Sequence, residues 1–532
     1  MKTYIFLLIL SVGFSALGQP TTFNQKYGFG YPAAIIQGIV GNGDSIIISG
    51  FVAAPFHPYP NRSFIGVVKQ NGDMEYFQIL DTTDKDYWIY PASLTKSNFS
   101  KYYFTSGVYL EKYAANLGYA RAFLWKLDEN LDTVYTKHYF PMIPTDELMV
   151  ENHVEYSPDT LALLCTLWKY DSQGNFYDGD LILILTDSLG NELKRVQYGE
   201  ANYRNDAISL VRCDNGFLVA GWKLRRFNDN GLWKEERQPN ILLFNTNGDI
   251  IKSYNTPSLD YRISRWAIPT SDNAYVFCGA KVYNVHNPTS APNQTEELYK
   301  GYIAKLNSNF YKVWGLSFGD STYVSGFSKI IEAHNGDYIA VGRDGITYET
   351  VGIDTTIVDS FMTVGWIIRV SPSGQKIWER RHKVVYGSSC TNLLGDIYEQ
   401  ADGSLVMSGV AYDDVPSPIT TYAWLIKTDS FGCLVPGCQT VGIAPSTHIA
   451  DHIKLYPNPA QSELYLYFHT EKQPTGTSFR IWDMQGQEMI ANTPLLNSAT
   501  HILRVQDWAK GLYFVEIRDK EGNVYTEKFV KE

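Results

Sequence analysis

The sequence predicts an all-β protein in which a body built from one repeated unit of four strands precedes a small β-sandwich. Between about Ala34 and Cys438, one pattern of apolar strands and turns recurs seven times. Within these runs apolar and polar residues alternate with period two, as half-buried strands require. Aromatic residues make up 14% of the chain and charged residues only 19%, which favours strands around an aromatic core over a disordered chain.

Residues 1–18 are predicted to be a secretory signal peptide. Lys2 supplies the positive start, Ile5–Val12 is mostly apolar, and Ala16-Leu17-Gly18 offers small residues for cleavage. A membrane anchor is the alternative, but the apolar run is too short to span about 30 Å of hydrocarbon. No later stretch is long and apolar enough to cross a bilayer, so we expect no transmembrane segment after signal cleavage.

The repeated unit is clearest in the fourth copy, where AISLVRCDNGFLVAGWK is followed by a connection and then by NILLFNTNGDIIKSYN. Four short antiparallel strands at a steady period of this kind are typical of a β-propeller. We therefore predict that residues 19–438 form a seven-bladed β-propeller. A glycine is expected to end the second strand of six copies, and Thr166 replaces it in the third copy. These glycines are Gly50, Gly107, Gly221, Gly279, Gly342 and Gly409.

The segment Phe23–Gly28 is predicted to close the ring. The seventh copy has three good strands and then a poor fourth, in the loop that contains Cys433 and Cys438. The segment FNQKYG resembles fourth strands of other copies, such as VQYG at Val196–Gly199. It is therefore expected to complete the last blade.

The connection between the second and third strands is long in nearly every copy and is predicted to be a loop. Ring symmetry places equivalent connections on one face, and long insertions on one face usually mark a binding face. The predicted loops are 53–63, 109–119, 168–179, 223–239, 281–300, 343–364 and 411–421. Aromatic and polar side chains in them suit sugar rings and protein side chains alike. The candidate ligand-binding residues are Trp168, Trp222, Arg225, Trp233, Tyr283, His286 and Tyr348. Alternatively, these rings pack the loops onto the blades.

Composition and motifs exclude several function classes. A net charge of −11 argues against nucleic acid as a partner. No histidine and cysteine spacing of a metal site occurs, and no cofactor is expected. Residues 315–319 fit G-x-S-x-G, but a nucleophile elbow needs a strand, a turn and a helix, whereas these residues belong to a fourth blade strand.

A glycosidase on this scaffold would need two or more carboxylates that converge on the central channel of the propeller. The sequence does not show which acids do so. The acids in or near the predicted loops are Asp178, Asp180, Asp206, Asp229, Glu235, Glu236, Asp344, Asp354, Asp413 and Asp414.

Two of the six cysteines are predicted to form a disulfide. Cys433 and Cys438 flank a Pro436-Gly437 pair that favours a tight turn, and the export route is oxidising. The alternative is two free thiols in a loop. The other four, Cys165, Cys213, Cys278 and Cys390, are expected to be small buried hydrophobes.

Residues 439–452 are predicted to be a linker, and residues 453–532 a small Ig-like β-sandwich. The sandwich stretch opens with LYPNPA, continues through FRIWDMQGQEM and LRVQDWAKGLYFVEI, and ends with EGNVYTEKFVKE. It resembles the C-terminal sorting domain of proteins exported by the type IX secretion system of Bacteroidetes. The residues that carry the resemblance are Tyr456, Pro457, Asn458, Pro459, Gly486, Gly511, Tyr513 and Lys528. The resemblance implies passage through the periplasm, the secretion machinery as a partner, and a final place at the outer cell surface or outside the cell.

Together these features predict a secreted or surface-displayed propeller that binds a glycan or a surface protein through the face with long connections. The alternative is a secreted carbohydrate-active enzyme, a glycosidase or lyase, on the same scaffold. A passive structural role is supported only by the repeat.

Overall fold

The computed structural model describes the backbone of most of the chain. Described residues are 21–53, 61–80, 86–114, 117–158, 160–171, 173, 176–200, 203–214, 216–229, 232–254, 262–286, 295–319, 325–348, 360–386, 390–413, 420–435, 438, 453–468, 478–483, 486–494, 500–518 and 524–532. The predicted signal peptide and linker lie outside these residues. The chain divides into two compact units, Met1–Pro436 and Gly437–Glu532. All described regular elements are strands, so no helix that could cross a membrane occurs among them.

The body begins with one short strand, β1 (Phe23–Tyr27), and continues as antiparallel sets of four strands. The first set is β2 (Ala33–Asn42), β3 (Ser45–Ala53), β4 (Asn61–Lys69) and β5 (Met74–Ile79). The second is β6 (Asp86–Lys96), β7 (Tyr103–Ala114), β8 (Leu117–Leu127) and β9 (Thr133–Tyr139). The third is β10 (Glu147–Ser157), β11 (Thr160–Tyr170), β12 (Phe176–Asp187) and β13 (Glu192–Tyr198).

Three further sets of four follow along the chain, and three strands then end the body. The fourth set is β14 (Arg204–Cys213), β15 (Gly216–Asp229), β16 (Leu232–Asn245) and β17 (Ile250–Tyr254). The fifth is β18 (Arg262–Pro269), β19 (Tyr275–His286), β20 (Thr295–Leu306) and β21 (Lys312–Phe318). The sixth is β22 (Gly326–Glu332), β23 (Tyr338–Tyr348), β24 (Ser360–Val370) and β25 (Lys376–His382). The last three are β26 (Cys390–Glu399), β27 (Leu405–Asp413) and β28 (Thr420–Thr428).

The N-terminal strand completes the last set, and this confirms the pairing predicted from the sequence. β1 lies antiparallel to β28, with Phe23 opposite Lys427 and Tyr27 opposite Ala423. Asn24 accepts a hydrogen bond from the indole of Trp424 at 2.7 Å. A single parallel bridge, Ala33 to Thr421, joins this set to the first set, so the two form one eight-stranded sheet.

The sets stand side by side around an axis. The first strand of each set contacts the first strand of the next, and β26 contacts β2, so the series returns to its start. Apolar clusters lie between neighbouring sets, as where Leu164 and Leu183 of the third set pack with Leu210 and Phe217 of the fourth. The body is therefore an all-β fold of propeller type, in which each sheet buries its faces against its neighbours.

The turns between third and fourth strands link each sheet to the next. In most of them a glycine with positive φ closes the turn, for example Gly248 with φ of 81°. Side chains of fourth strands and of one third strand donate hydrogen bonds to backbone carbonyl oxygens in the turns of the following sheet. Such bonds are Lys194 Nζ to Asn247 O (2.7 Å), Lys252 Nζ to Ser308 O (2.5 Å), Trp314 Nε1 to Pro372 O (3.1 Å) and Arg369 Nη1 to Ser430 O (3.2 Å). Tyr27 O–H donates to Gly72 O at 2.6 Å and links the completed last set to the first.

The prediction that the second strands end at their glycines is wrong. β15 runs on through Gly221 to Asp229 and pairs with β16 as one long hairpin, and β7 and β8 continue in the same way past Gly107. Much of what the sequence predicted as loop is therefore strand. Glycine is required at these positions because a Cβ would meet a carbonyl oxygen of the first strand at 1.8–2.0 Å, as at Ile263 O beside Gly279.

The C-terminal unit consists of two antiparallel sheets around one apolar core. One sheet is β29 (Ile453–Tyr456), β30 (Glu463–Phe468) and β33 (Thr500–Arg504). The other is β31 (Ser478–Asp483), β32 (Glu488–Pro494), β34 (Gly511–Arg518) and β35 (Val524–Lys531). Leu464 and Leu466 of the first sheet share a core with Ile481, Val515 and Phe529 of the second.

Candidate functional site

The first strand of every set in the body contains a bulge opposite the second strand. In the fifth set the pairing jumps from Ser264 to Trp266, so Arg265 is left without a partner in the ladder. An unpaired extra residue of this kind re-aims its side chain. The residues at the equivalent bulges are Gln37, Ala92, Glu151, Ile208, Arg265, Ser328 and Gly395.

All of these bulge residues line one cavity of about 500 Å³. Residues that directly follow the second-strand glycines, such as Ala280, Arg343 and Val410, line it too. In an antiparallel set, the end of the second strand and the start of the third lie at the same end of the sheet. The cavity therefore lies at the end of the body from which the hairpins between second and third strands project, the face that the sequence predicted as the binding face. We call it the axial cavity.

Glu151 brings a carboxyl group to the axial cavity. Burial raises its pKa to about 8, and the nearby carboxylate of Asp206 acts in the same direction, whereas a hydrogen bond from Thr166 and the charge of Arg204 oppose the shift. The prediction that Thr166 replaces the strand glycine is wrong, because Cys165 pairs with Val150 directly before the bulge, where the other sheets have glycine. Thr166 is the next residue along, and its Oγ1 also accepts a hydrogen bond from Ala207 N at 3.3 Å. Thr166 thus holds the carboxyl in place.

Two guanidinium groups, those of Arg265 and Arg343, contribute to the same lining. Desolvation lowers the pKa of Arg265, and the positive charge of Arg343 lowers it further. Among the described residues neither arginine forms a hydrogen bond or an ion pair. The lining therefore offers a carboxyl group with a raised pKa together with two unpaired cations.

The predicted ligand residues Trp168 and Trp222 are half-buried and hold a neighbouring arginine. The Arg204 guanidinium lies 4.9 Å from the Trp168 ring centroid and 5.5 Å from that of Trp222, and its Nε lies 2.9 Å from Asp206. Each such cation–π contact contributes about 1 kcal/mol. Trp168 also packs on the buried cluster of Val108, Ala120 and Met149. Neither indole lines the axial cavity.

Arg225, whose side chain is described, does not line the axial cavity. Arg225 lies over the ring of Tyr203, 5.5 Å from its centroid. The remaining predictions fall on side chains outside the described residues, although their backbones lie in described strands. Those residues are Trp233 in β16, Tyr283 and His286 in β19, and Tyr348 in β23.

Most of the acids proposed from the sequence form structural contacts where they are described. Lys169 Nζ lies 2.9 Å from Asp178 and 2.5 Å from Asp180. Asp344 accepts hydrogen bonds from Ser325 Oγ at 2.6 Å and Arg381 Nε at 2.8 Å. The other candidates, Asp229, Glu235, Glu236, Asp354, Asp413 and Asp414, lie outside the residues whose side chains are described. Among the acids whose side chains are described, Asp206 influences the axial cavity through the pKa of Glu151.

Sequence reasoning missed Glu151, Arg265 and Arg343, although a signal for them exists. The strand glycine predicts a close carbonyl, and that carbonyl belongs to the first strand beside its bulge. The residue at each bulge can therefore be located by finding which first-strand residue pairs with the glycine across the hairpin between the first and second strands. Among the described residues no group of histidine, cysteine, aspartate and glutamate could hold a metal ion.

Cys433 and Cys438 are disulfide-bonded, the pairing expected from the turn between them. The other four cysteines are free thiols. Cys165, Cys278 and Cys390 are buried, and Cys213 is half-buried.

The sorting-motif residues cluster around the last strand of the C-terminal unit. Asn458 donates from Nδ2 to Lys528 O at 3.2 Å and accepts from Val530 N at 2.9 Å. Tyr513 donates to Ala509 O at 2.7 Å and packs on Phe529 with ring centroids 5.4 Å apart. The other motif residues lie at turns and edges. Tyr456 stacks on Tyr465 ahead of Pro457 and Pro459, Gly486 has φ of 81°, and Gly511 begins β34.

Residues 454–532 match the family described as "Secretion system C-terminal sorting domain". The C-terminal unit is a type IX sorting domain. The sorting domain directs the chain to the cell surface or the extracellular space, and it implies interaction with the secretion machinery. The resemblance found in the sequence is thereby confirmed.

Comparison of the whole chain gives more distant likenesses. No curated protein matches the chain. An α-L-arabinanase of Penicillium chrysogenum complexed with arabinobiose is 10% identical, with a TM-score of 0.39, covering 77% of this chain and 98% of its own. A GH93 α-L-arabinofuranosidase of Fusarium graminearum is 11% identical, with a TM-score of 0.38, covering 76% and 98%. A protein of unknown function from Dyadobacter fermentans is 7% identical, with a TM-score of 0.37, covering 77% and 99%. Likeness at this level supports no inference about ligand or reaction.

Proposed function

We propose that this exported protein is a binding protein that takes up a glycan or a surface protein at the axial cavity and the hairpin face around it. The observation that supports this most is the cavity itself. It has a volume in the range of small-ligand sites, apolar walls, and two guanidinium groups that form no hydrogen bond or ion pair with the other described residues.

We also propose a finer architecture for the chain. The eight-stranded sheet counts as two blades, which makes the body a seven-bladed β-propeller over residues 19–438 behind a signal peptide at 1–18. The sorting domain, with seven strands in sheets of three and four, is proposed to be an Ig-like sandwich over 453–532 after a linker at 439–452.

A glycan array tests the binding function. The exported protein, carrying its sorting domain, is applied to plant, algal and bacterial polysaccharides, and the same polysaccharides are screened for release of reducing ends or unsaturated products. Saturable binding without product is the expected result. Absence of binding to every glycan and to extracts of the cell surface would overturn the proposal.

An enzyme is the second candidate, and one specific observation favours it. Glu151 has the raised pKa of a general acid, and Asp206 is a second carboxyl group near enough to influence it. A glycosidase requires two such groups on either side of the scissile bond. If the screen yields product, Glu151→Gln and Asp206→Asn should each reduce the rate by about a hundredfold or more. Full activity in both variants would remove this candidate.

A further inference from the structure

Arg265 and Arg343 form a pair of like charges at one side of the axial cavity. Arg265 occupies the bulge of β18, and Arg343 follows Gly342 on β23, in the neighbouring sheet. They are close enough for the charge of one to disfavour the charge of the other. Arg265 is exposed and Arg343 is half-buried, so both guanidinium groups are accessible to a ligand that enters the axial cavity.

Two other arginines of the sixth set each form an ion pair within the fold. Arg369 lies 2.9 Å from Asp337, and Arg381 lies 2.8 Å from Asp344. Arg343 lies in the same set without such a partner among the described residues. The chain as a whole is acidic, so this pair is a local feature and not part of a generally basic surface.

We propose that Arg265 and Arg343 bind the carboxylate of an acidic sugar residue, so that the ligand of the axial cavity is a uronate-containing glycan. This inference rests on the proposed binding function and gives it a ligand class. A guanidinium fork matches the two oxygens of a carboxylate, and hydrogen bonds with charge on both sides are the stronger kind.

The rest of the lining fits a sugar ring better than a small inorganic anion. Ile208, Ile263 and Trp266 supply apolar surface for the C–H faces of a pyranose. Gln37 and Ser328, from other bulges, supply hydrogen-bonding groups for hydroxyls. A phosphate ion would contact the arginines alone and leave most of the 500 Å³ without a partner.

Glu151 lines the same cavity and is compatible with an anionic ligand. At neutral pH its raised pKa keeps the carboxyl mostly protonated, so it can donate a hydrogen bond to the ligand without repelling it.

Calorimetry with matched ligands tests the assignment on the full exported protein. The probes are trigalacturonate, its methyl ester, neutral galactotriose, a tripeptide with two glutamates, and inorganic phosphate. Trigalacturonate is expected to bind at least about tenfold more tightly than its methyl ester, because the ester removes only the negative charge. Arg265→Gln and Arg343→Gln should each abolish this preference, and Arg265→Lys should keep part of it. Arg195→Gln, on the outer strand β13, is the matched control and should bind as the native protein does.

Thermal melting separates a binding role from a structural one. Removing one of two unpaired like charges should leave the melting temperature of Arg265→Gln equal to or above that of the native protein. A sharp fall would assign the arginine to the fold and overturn the proposal.

The remaining outcomes distinguish failure of the uronate assignment from failure of the proposed binding function. Equal affinity for acid and ester would overturn the uronate assignment and leave glycan binding intact. If only the peptide or only phosphate bound, and the binding required the arginines, that ligand would take the place of the acidic sugar in the assignment. Binding of none of the probes, together with a silent glycan array, would overturn the proposed function itself.

Discussion

The third and fifth sheets of the body share one backbone plan, yet one brings an acidic and the other a basic side chain to the same cavity. In the fifth, Gly279 pairs with Ser264 directly before the bulge, and the bulge carries Arg265. In the third, Cys165 pairs with Val150 directly before the bulge, and the bulge carries Glu151. The register is the same in both sheets, although cysteine replaces the glycine. The repeat thus determines the backbone, whereas residues that do not repeat determine the chemistry.

Deleting residues 21–30 should have the largest effect, because the comparison assumes that both sheets belong to one closed ring. The deletion removes β1, including buried Phe23, and leaves the edge of β28 unpaired. We expect the melting temperature to fall by on the order of 10 °C. The control is a protein that begins at residue 21, and scanning calorimetry is the measurement. An unchanged melting curve would contradict the ring.

Two alanine substitutions compare the glycine beside the bulge of the fifth sheet with the threonine that contacts Glu151 in the third. In Gly279→Ala the new Cβ would lie 1.8 Å from Ile263 O, so the first strand must shift. The expected loss is about 3 kcal/mol of unfolding free energy. Thr166→Ala removes a buried hydroxyl group and a methyl group and should cost about 2 kcal/mol. Urea denaturation measures both, and equal losses would show that the glycine is not required by the bulge.

The pH dependence of stability should identify Glu151. Its pKa rises from 4.5 in the unfolded chain to about 8 in the fold, so the folded state binds more protons between these values. The stability that this carboxyl group contributes to the fold is therefore fully present below about pH 4.5 and is lost as the pH rises through 8. Asp206, Arg204 and Tyr90 are the charged or titratable groups near it.

The measurement is the melting temperature of the native protein minus that of Glu151→Gln. We expect this difference to fall by roughly 2–4 °C between pH 5 and pH 8.5. A constant difference would mean that the carboxyl titrates normally.

The smallest expected effect is that of Thr166→Val, which keeps the shape of the side chain and removes its hydroxyl group. Because the Thr166 hydroxyl favours the ionised carboxylate, its loss should move the pKa of Glu151 further upward. Carboxyl-labelled NMR titration would report the change. A downward shift would contradict the hydrogen bond.

Local sequence patterns were sufficient to predict several features of the fold. The strand FNQKYG that completes the last set and the Cys433–Cys438 bridge both follow from local chemistry or from comparison between copies. The sorting domain was recognisable because its motif residues form contacts within one short unit, such as Asn458 with the last strand.

The candidate site was not predictable in the same way. Gly221 was interpreted as a strand end because a strand-terminal glycine and a glycine facing a close carbonyl look alike in one sequence. Trp168 and Trp222 were chosen for their aromatic rings, yet those rings hold Arg204. Arg265 and Glu151 interrupt the period-two pattern, and only the pairing of strands shows that this interruption directs them to the axis.

Filling the axial cavity tests most directly whether it is the binding site. Ser328 occupies the bulge of β22, and Ser328→Trp would occupy much of the space. Thr133→Trp, on the exposed outer strand β9, is the control. We predict that Ser328→Trp lowers affinity for the glycan selected by the array by about a hundredfold or more with a nearly unchanged melting temperature, and that Thr133→Trp binds normally. Normal binding by a folded Ser328→Trp protein would contradict the account.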